Sequence, residues 1–170
     1  MQSISICRDI EQPAAKVWAV VDAFGDIYKF NPNVHTSPLQ NDRASGLGAE
    51  RVCHSEDGMT MKETIVQYDA GRGYTVRLAD HPMPFKEATA RLDIAPTAWG
   101  HCQFIMRVEF GPKFGPTGWL MANLMIKRMM RGMMNGLAEG LNDHVTTGRL
   151  IGKGGVLSAP AESAAASACV

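Results

Sequence analysis

With 170 residues and 17 Lys and Arg balanced by 17 Asp and Glu, the chain lacks the global field that draws a protein to nucleic acid or anionic lipid. The length suits one domain, which at this size buries about 68–70% of its unfolded surface in a single core. Cys7, Cys53, Cys102 and Cys169 form neither a CxxC pair nor a disulfide framework, and "MQSISICRDIEQPAAKVW" lacks the basic and apolar regions of a signal peptide, so a reducing cytoplasm is the expected location.

In chain order, "SISICRDI" alternates apolar and polar residues and stops before Pro13, which predicts a strand. "PAAKVWAVVDAF" then has helical periodicity, with proline where its missing N–H costs nothing. A second helical turn in "GDIYKFNPNV" is broken at Asn31-Pro32, because the residue before proline avoids the α region. Six further strands are predicted at about 34–40, 48–56, 59–69, 73–80, 85–95 and 101–111. The segments between them, "ASGLG", "EDG", "DAGRG", "HPMP" and "PTAWG", are rich in turn formers.

The last predicted element is a helix over about 116–147, ending at Gly148. Its stretch "GWLMANLMIKRMMRGMMNGLAEGL" holds six of the 11 methionines. Lys127, Arg128 and Arg131 interrupt it, so it lacks the run of about 20 apolar residues that a membrane span needs, and no stable membrane insertion is expected. At 100° per residue these three cations share a side with Asn135, Glu139, Asn142 and Asp143. Met125, Ile126, Met129, Met130, Met133, Leu137 and Leu141, joined by Trp119, form the opposite, apolar side. Residues 151–170 are rich in small residues that bury too little area to offset ordering entropy, so a disordered tail is expected after a domain of residues 1–150.

Antiparallel strands in sequence make a meander, and its apolar face must be covered by the long helix. Ala88, Ala90, Leu92 and Ile94 share one face of their strand, as do Cys102, Phe104, Met106, Val108 and Phe110 of the next. Tyr74, Val76 and Leu78 form a third such set. Strand 59–69 differs, because a face carrying Met59, Met61 and Ile65 also carries Glu63 and Gln67. If that face looks inward, two polar groups enter an apolar interior.

These residues carry a resemblance. "DIEQPAAKVWAVVDAFGDIYKFNPNV", followed by "GLGAERVCHSEDG", Glu63, "YDAGRGYTVRL", "PMPFKEATARLDIAP" and "EFGP", resembles the bacterial polyketide cyclase/dehydrase and lipid-transport family of the SRPBCC (START-like) superfamily over about residues 1–150. The resemblance implies an α+β helix-grip fold, in which a seven-stranded antiparallel sheet wraps the C-terminal helix around a deep hydrophobic cavity. It implies either binding of lipids, isoprenoids or polyketides, or cyclase and dehydratase chemistry, without a cofactor. This chain has Phe30 and Met106 where relatives often have tryptophan, and Ala88 where they often have tyrosine. The last two exchanges enlarge or soften the expected cavity.

Site candidates follow from the inward faces. Glu63 is either a pocket carboxylate, binding a ligand hydroxyl or moving a proton, or a structural partner of Arg51. Tyr74 and His144 are the other candidate catalytic groups, each with an ordinary alternative as core aromatic or helix C-terminal cap. The expected ligand-lining set is Arg51, Cys53, Met61, Glu63, Ile65, Tyr74, Val76, Ala88, Ala90, Phe104, Met106, Met125, Met129, Met133 and Gly136. His54 and Glu56 lack a third ligand at metal spacing, and the methionines follow an amphipathic stripe, so no metal is expected. Gly132, Gly136 and Gly140 recur along one flank of the helix, where a strand or ligand must approach closely to justify them. Two functions stay open: a carrier or sensor of an apolar small molecule, as monomer or homodimer, and a metal-free cyclase or dehydratase, a lyase or isomerase. A membrane-docking role for Lys127, Arg128 and Arg131 competes with a plain solvated face.

Overall fold

The computed structural model describes residues 2–81, 85–112, 116–155 and 157–160. Strand β1 (Gln2–Ile10) leads into helix α1 (Ala14–Asp22) and a 3-10 turn (Phe24–Lys29). Strands β2 (Glu50–His54), β3 (Thr60–Asp69), β4 (Gly73–Ala79), β5 (Phe85–Pro96) and β6 (Cys102–Pro112) follow as an antiparallel meander. β1 closes the sheet on the β6 side, giving the order β1-β6-β5-β4-β3-β2. Helix α2 (Pro116–Thr147) packs on β1, β6 and α1, completing a helix-grip fold.

Among the described residues the main sheet has six strands rather than seven. Segment 34–40 forms only two isolated bridges to β2, Thr36 to His54 and Leu39 to Arg51. Pro38 lies between them, where its missing N–H interrupts the ladder, although its carbonyl still accepts from Val52 N at 3.1 Å. A separate ribbon pairs β7 (Arg149–Ile151) with β8 (Leu157–Pro160), so ordered pairing runs past the expected boundary at 150. Residues 161–170, with Cys169, lie outside the described residues.

The alternation of β4, β5 and β6 puts Tyr74, Val76, Leu78, Ala88, Ala90, Leu92, Ile94, Cys102, Phe104, Val108 and Phe110 in the core. Met106 is half-buried against it. In β3, Glu63 and Ile65 are buried, but Gln67 is exposed. A register shift between Ile65 and Gln67 inserts an extra residue, which reverses the facing of the strand's end. Gln67 then accepts from Thr75 Oγ1 at 3.0 Å, and Tyr68 turns toward Trp18 and donates to Asp22 Oδ1 at 2.8 Å.

On α2 the buried stripe is Met130, Met134, Leu137, Ala138, Leu141 and Val145. It is rotated from the expected one: Met125 is 78% and Met129 48% exposed, whereas Met134 is buried. The cause is a close contact. A Cβ on Gly140 would lie 2.1 Å from the Phe30 carbonyl oxygen, so the helix backbone abuts the 3-10 turn here, and this approach sets the helix rotation. Arg8 Nη1 adds a bond to Glu139 Oε1 at 3.0 Å between β1 and α2. Gly148, at φ 70°, ends the helix as the expected stop, donating to the His144 carbonyl at 2.8 Å. Trp119 lies outside the residues whose side chains are described.

Candidate functional site

A cleft of about 570 Å³ opens where the β2–β3 hairpin, the loop after the 3-10 turn, α2 and β7 with the chain after it meet. The loop contributes Asn31, Pro32, Asn33, Val34 and His35; the hairpin side contributes Cys53, Ser55, Glu56, Asp57, Met59, Thr60 and Met61. Met129 and Met133 come from α2, and Leu150, Ile151, Gly152 and Lys153 from beyond it. Tyr28 and His81 complete the wall.

Local sequence builds these walls. Asn31 Oδ1 accepts from Asn33 N at 3.0 Å, an Asx turn that the "NPN" tripeptide favours, and it shapes the loop beneath the helix. The hairpin closes through Ser55 N to the Met59 carbonyl at 2.9 Å. Four thioether side chains, from Met59, Met61, Met129 and Met133, therefore face one opening, a soft and adaptable lining.

Of the sequence-predicted ligand residues, Cys53, Met61, Met129 and Met133 line this cleft. Gly136 lies behind its wall, because a Cβ there would sit 3.5 Å from Pro32 Cγ. Ile65, Val76, Ala88, Ala90 and Phe104 are core residues, Met106 is half-buried, and Met125 faces outward. Arg51, Glu63 and Tyr74 sit in a buried cluster with Cys53. Sequence reasoning missed the loop residues, Met59 as a lip residue, and Leu150 to Lys153. The first and last groups lie in irregular or small-residue segments without periodicity.

The cluster is built by strand register, which places Arg51 of β2 opposite Glu63 of β3. Arg51 Nε donates to Glu63 Oε2 at 2.7 Å, and Nη2 donates to the same oxygen. Nη1 donates to the Phe24 carbonyl at 2.5 Å, and the guanidinium lies 3.9 Å from the centre of the Phe24 ring. Burial by itself depresses the Arg51 pKa, but the charge of Glu63, followed by Tyr74 and Cys53, carries it above the ordinary value. Arg51 thus holds the Glu63 carboxyl group through Oε2, and no hydrogen bond to Oε1 is present among the described residues. Tyr74 donates to the Val21 carbonyl at 3.4 Å. Burial pushes its phenol up to about 12, with Arg51 opposing and Glu63 adding. Burial likewise pushes the Cys53 thiol up to about 12, again with Glu63 adding.

These two shifts make the protein sensitive to alkali. The ordinary values are 9.0 for the thiol and 10.0 for the phenol, so above pH about 9 the unfolded chain binds fewer protons than the folded one. Stability from these groups is complete below pH about 9 and is lost as pH rises toward about 12. Urea midpoints measured from pH about 8 to about 11 are expected to fall, and Tyr74→Phe to flatten the upper part of that decline. A flat profile in the unsubstituted protein would remove both groups from the buried cluster.

His144 is engaged elsewhere: Nδ1 lies 2.7 Å from the Arg149 carbonyl, as a donor to it, and the ring is 6.2 Å from that of Phe30. It ties the end of α2 to the start of β7. Among the described residues no group of three His, Cys, Asp or Glu is placed to hold a metal, and no helix is long and apolar enough to cross a membrane.

Known proteins share this architecture. The protein XoxI of Bacillus cereus is 15% identical, with a TM-score of 0.74 over 86% of this chain and 97% of its own. A solution structure from Thermobifida fusca is 23% identical, with a TM-score of 0.72 over 85% of this chain and 93% of its own. The Zhui aromatase/cyclase from a Streptomyces species is 11% identical, with a TM-score of 0.71 over 85% and 93%. At these identities the likeness shows the fold alone. No curated sequence matches the chain significantly. The family model for polyketide cyclase/dehydrase and lipid transport matches residues 1–145, which is most of the chain from β1 nearly to the end of α2. The chain therefore belongs to the polyketide cyclase/dehydrase and lipid-transport family.

Proposed function

We propose that the protein binds an apolar small molecule, of lipid, isoprenoid or polyketide character, as a carrier or sensor. The observation that carries this reading is the cleft of about 570 Å³ with four methionines on its walls. Its volume lies within the range of about 300–1,000 Å³ common for small-molecule sites, and Val34, Leu150 and Ile151 join the four methionines on its apolar side. The candidate groups for catalysis favour binding over chemistry. Glu63 is held by Arg51, Tyr74 is kept protonated by burial, and His144 is committed to the Arg149 carbonyl. A cyclase or dehydratase needs an acid and a base within reach of one substrate.

Native mass spectrometry of freshly purified protein is expected to release an apolar compound, and the neutral fluorophore N-phenyl-1-naphthylamine to bind the emptied protein. Met61→Trp, which fills the cleft from its β3 wall, is expected to weaken probe binding about tenfold, equivalent to about 1.4 kcal/mol. An undiminished affinity in Met61→Trp would place the ligand elsewhere, and failure to find any bound compound or probe uptake would overturn the reading.

A further inference from the structure

The family match ends at residue 145, yet the wall of the cleft does not. Leu150, Ile151, Gly152 and Lys153 line it from a segment that the family pattern leaves out. This segment is fastened at its start. Gly148 turns the chain out of α2, His144 holds the Arg149 carbonyl, and Ile151 is buried against the core, 3.3 Å from where a Gly140 Cβ would stand.

Beyond Ile151 the chain runs Gly-Lys-Gly-Gly through a short 3-10 turn (Lys153–Gly155), with few side chains to fix it. The turn joins β7 to β8, where Ile151 pairs with Leu157, and Gly155 N donates to the Gly152 carbonyl at 3.1 Å; what links it across the cleft is ionic. Lys153 Nζ lies 3.1 Å from Glu56 Oε2 and 3.7 Å from Asp57 Oδ1, both on the facing β2–β3 hairpin. All three residues line the cleft, so the contact spans its mouth. Its hydrogen bond to Glu56 and the charge of Asp57 raise the Lys153 pKa above its ordinary value.

We propose that the turn Lys153–Gly155 is a strap across the cleft, and that the contact of Lys153 with Glu56 and Asp57 sets how long a bound molecule is retained. The strap rests on the reading of the cleft as a ligand site. A ligand leaves when Lys153 parts from the hairpin, while Ile151 and the start of β7 stay packed. The three side chains are exposed, so the contact is a light fastening that salt loosens, suited to exchange rather than permanent enclosure.

The test uses the full chain, with Lys153→Glu and a triple exchange that adds Glu56→Lys and Asp57→Lys. Stopped-flow release of N-phenyl-1-naphthylamine is expected to quicken about two- to fivefold in Lys153→Glu, as exposed ion pairs allow, and to return toward the original rate in the triple exchange. High salt is expected to quicken release from the unsubstituted protein and to slow it in Lys153→Glu, where it screens the mutual repulsion of three carboxylates. Equal rates in all three proteins would overturn the strap, as would fast release from both variants, which would make Lys153 a direct ligand contact. Amide hydrogen exchange over residues 152–155 without any ligand separates the two readings. Faster exchange in Lys153→Glu, restored in the triple exchange, supports the strap even if no probe binds, in which case the ligand site itself has failed. Unchanged exchange overturns the strap.

Discussion

Arg51→Met is expected to lower unfolding free energy by about 3–5 kcal/mol, the loss that follows when one partner of a buried ion pair is removed. Methionine fills much of the volume, so the effect is electrostatic: Glu63, whose side chain is 7% exposed, is left with an uncompensated charge in the core. The 3-10 turn also loses the donor to its Phe24 carbonyl. Adding Glu63→Leu is expected to recover most of the loss, because apolar replacement of a whole buried pair is often neutral. Urea denaturation of the two single variants and the double variant measures this. A loss below about 1 kcal/mol in Arg51→Met, well under that expected range, would mean that Glu63 is hydrated or neutral and that its carboxyl is open to a ligand.

The glycines of α2 give the second large effect, and one whose sign changes along the helix. At Gly132 an added Cβ meets nothing within 4 Å, so Gly132→Ala is expected to stabilise by about 0.8–1.0 kcal/mol through helix propensity alone. At Gly140 the same Cβ would fall 2.1 Å from the Phe30 oxygen and 3.2 Å from its carbonyl carbon. Backbone cannot swing aside as a side-chain tip does, so Gly140→Ala is expected to cost about 2 kcal/mol despite the propensity gain. Gly136 stands between them, in ordinary contact with Pro32, and its substitution is expected to move cleft properties more than stability. Thermal melting of the three alanine variants decides the order. Equal shifts at 132 and 140 would show that Phe30 does not set the helix position.

Gly140 also shows why the helix was only half legible. Periodicity located α2 and its end at Gly148, and it marked the glycine flank as a place of close approach, which holds at Gly140 and fails at Gly132. It assigned Met125 and Met129 to the same apolar side as Met130, because on a helical wheel methionines at these spacings form one broad stripe. A close contact with one carbonyl turned that stripe toward Met134 and Ala138. β3 repeats the lesson: Glu63 on an inward face follows from alternation, but the exposure of Gln67 depends on a bulge that no alternation reveals.

The site divides along the same line. Cys53, Met61, Met129 and Met133 were identifiable because they lie on regular elements beside apolar neighbours. Val34, Met59 and Leu150 to Lys153 come to the same opening from a loop, a hairpin and a post-helical turn, whose path depends on what they pack against.

Legible in the sequence were α1, α2, the meander from β2 to β6, the inward faces of β4, β5 and β6, and the family, because each rests on local periodicity, turn chemistry or an ordered motif; the loose pairing of segment 34–40 and the β7–β8 ribbon were not. Set by the folded structure alone are the rotation of α2, the choice of Arg51 as the partner of Glu63, and the arrival of Leu150 to Lys153 at the cleft wall. Each of these is a contact between segments far apart in the chain, and its energy depends on distance and burial, which neither periodicity nor composition encodes.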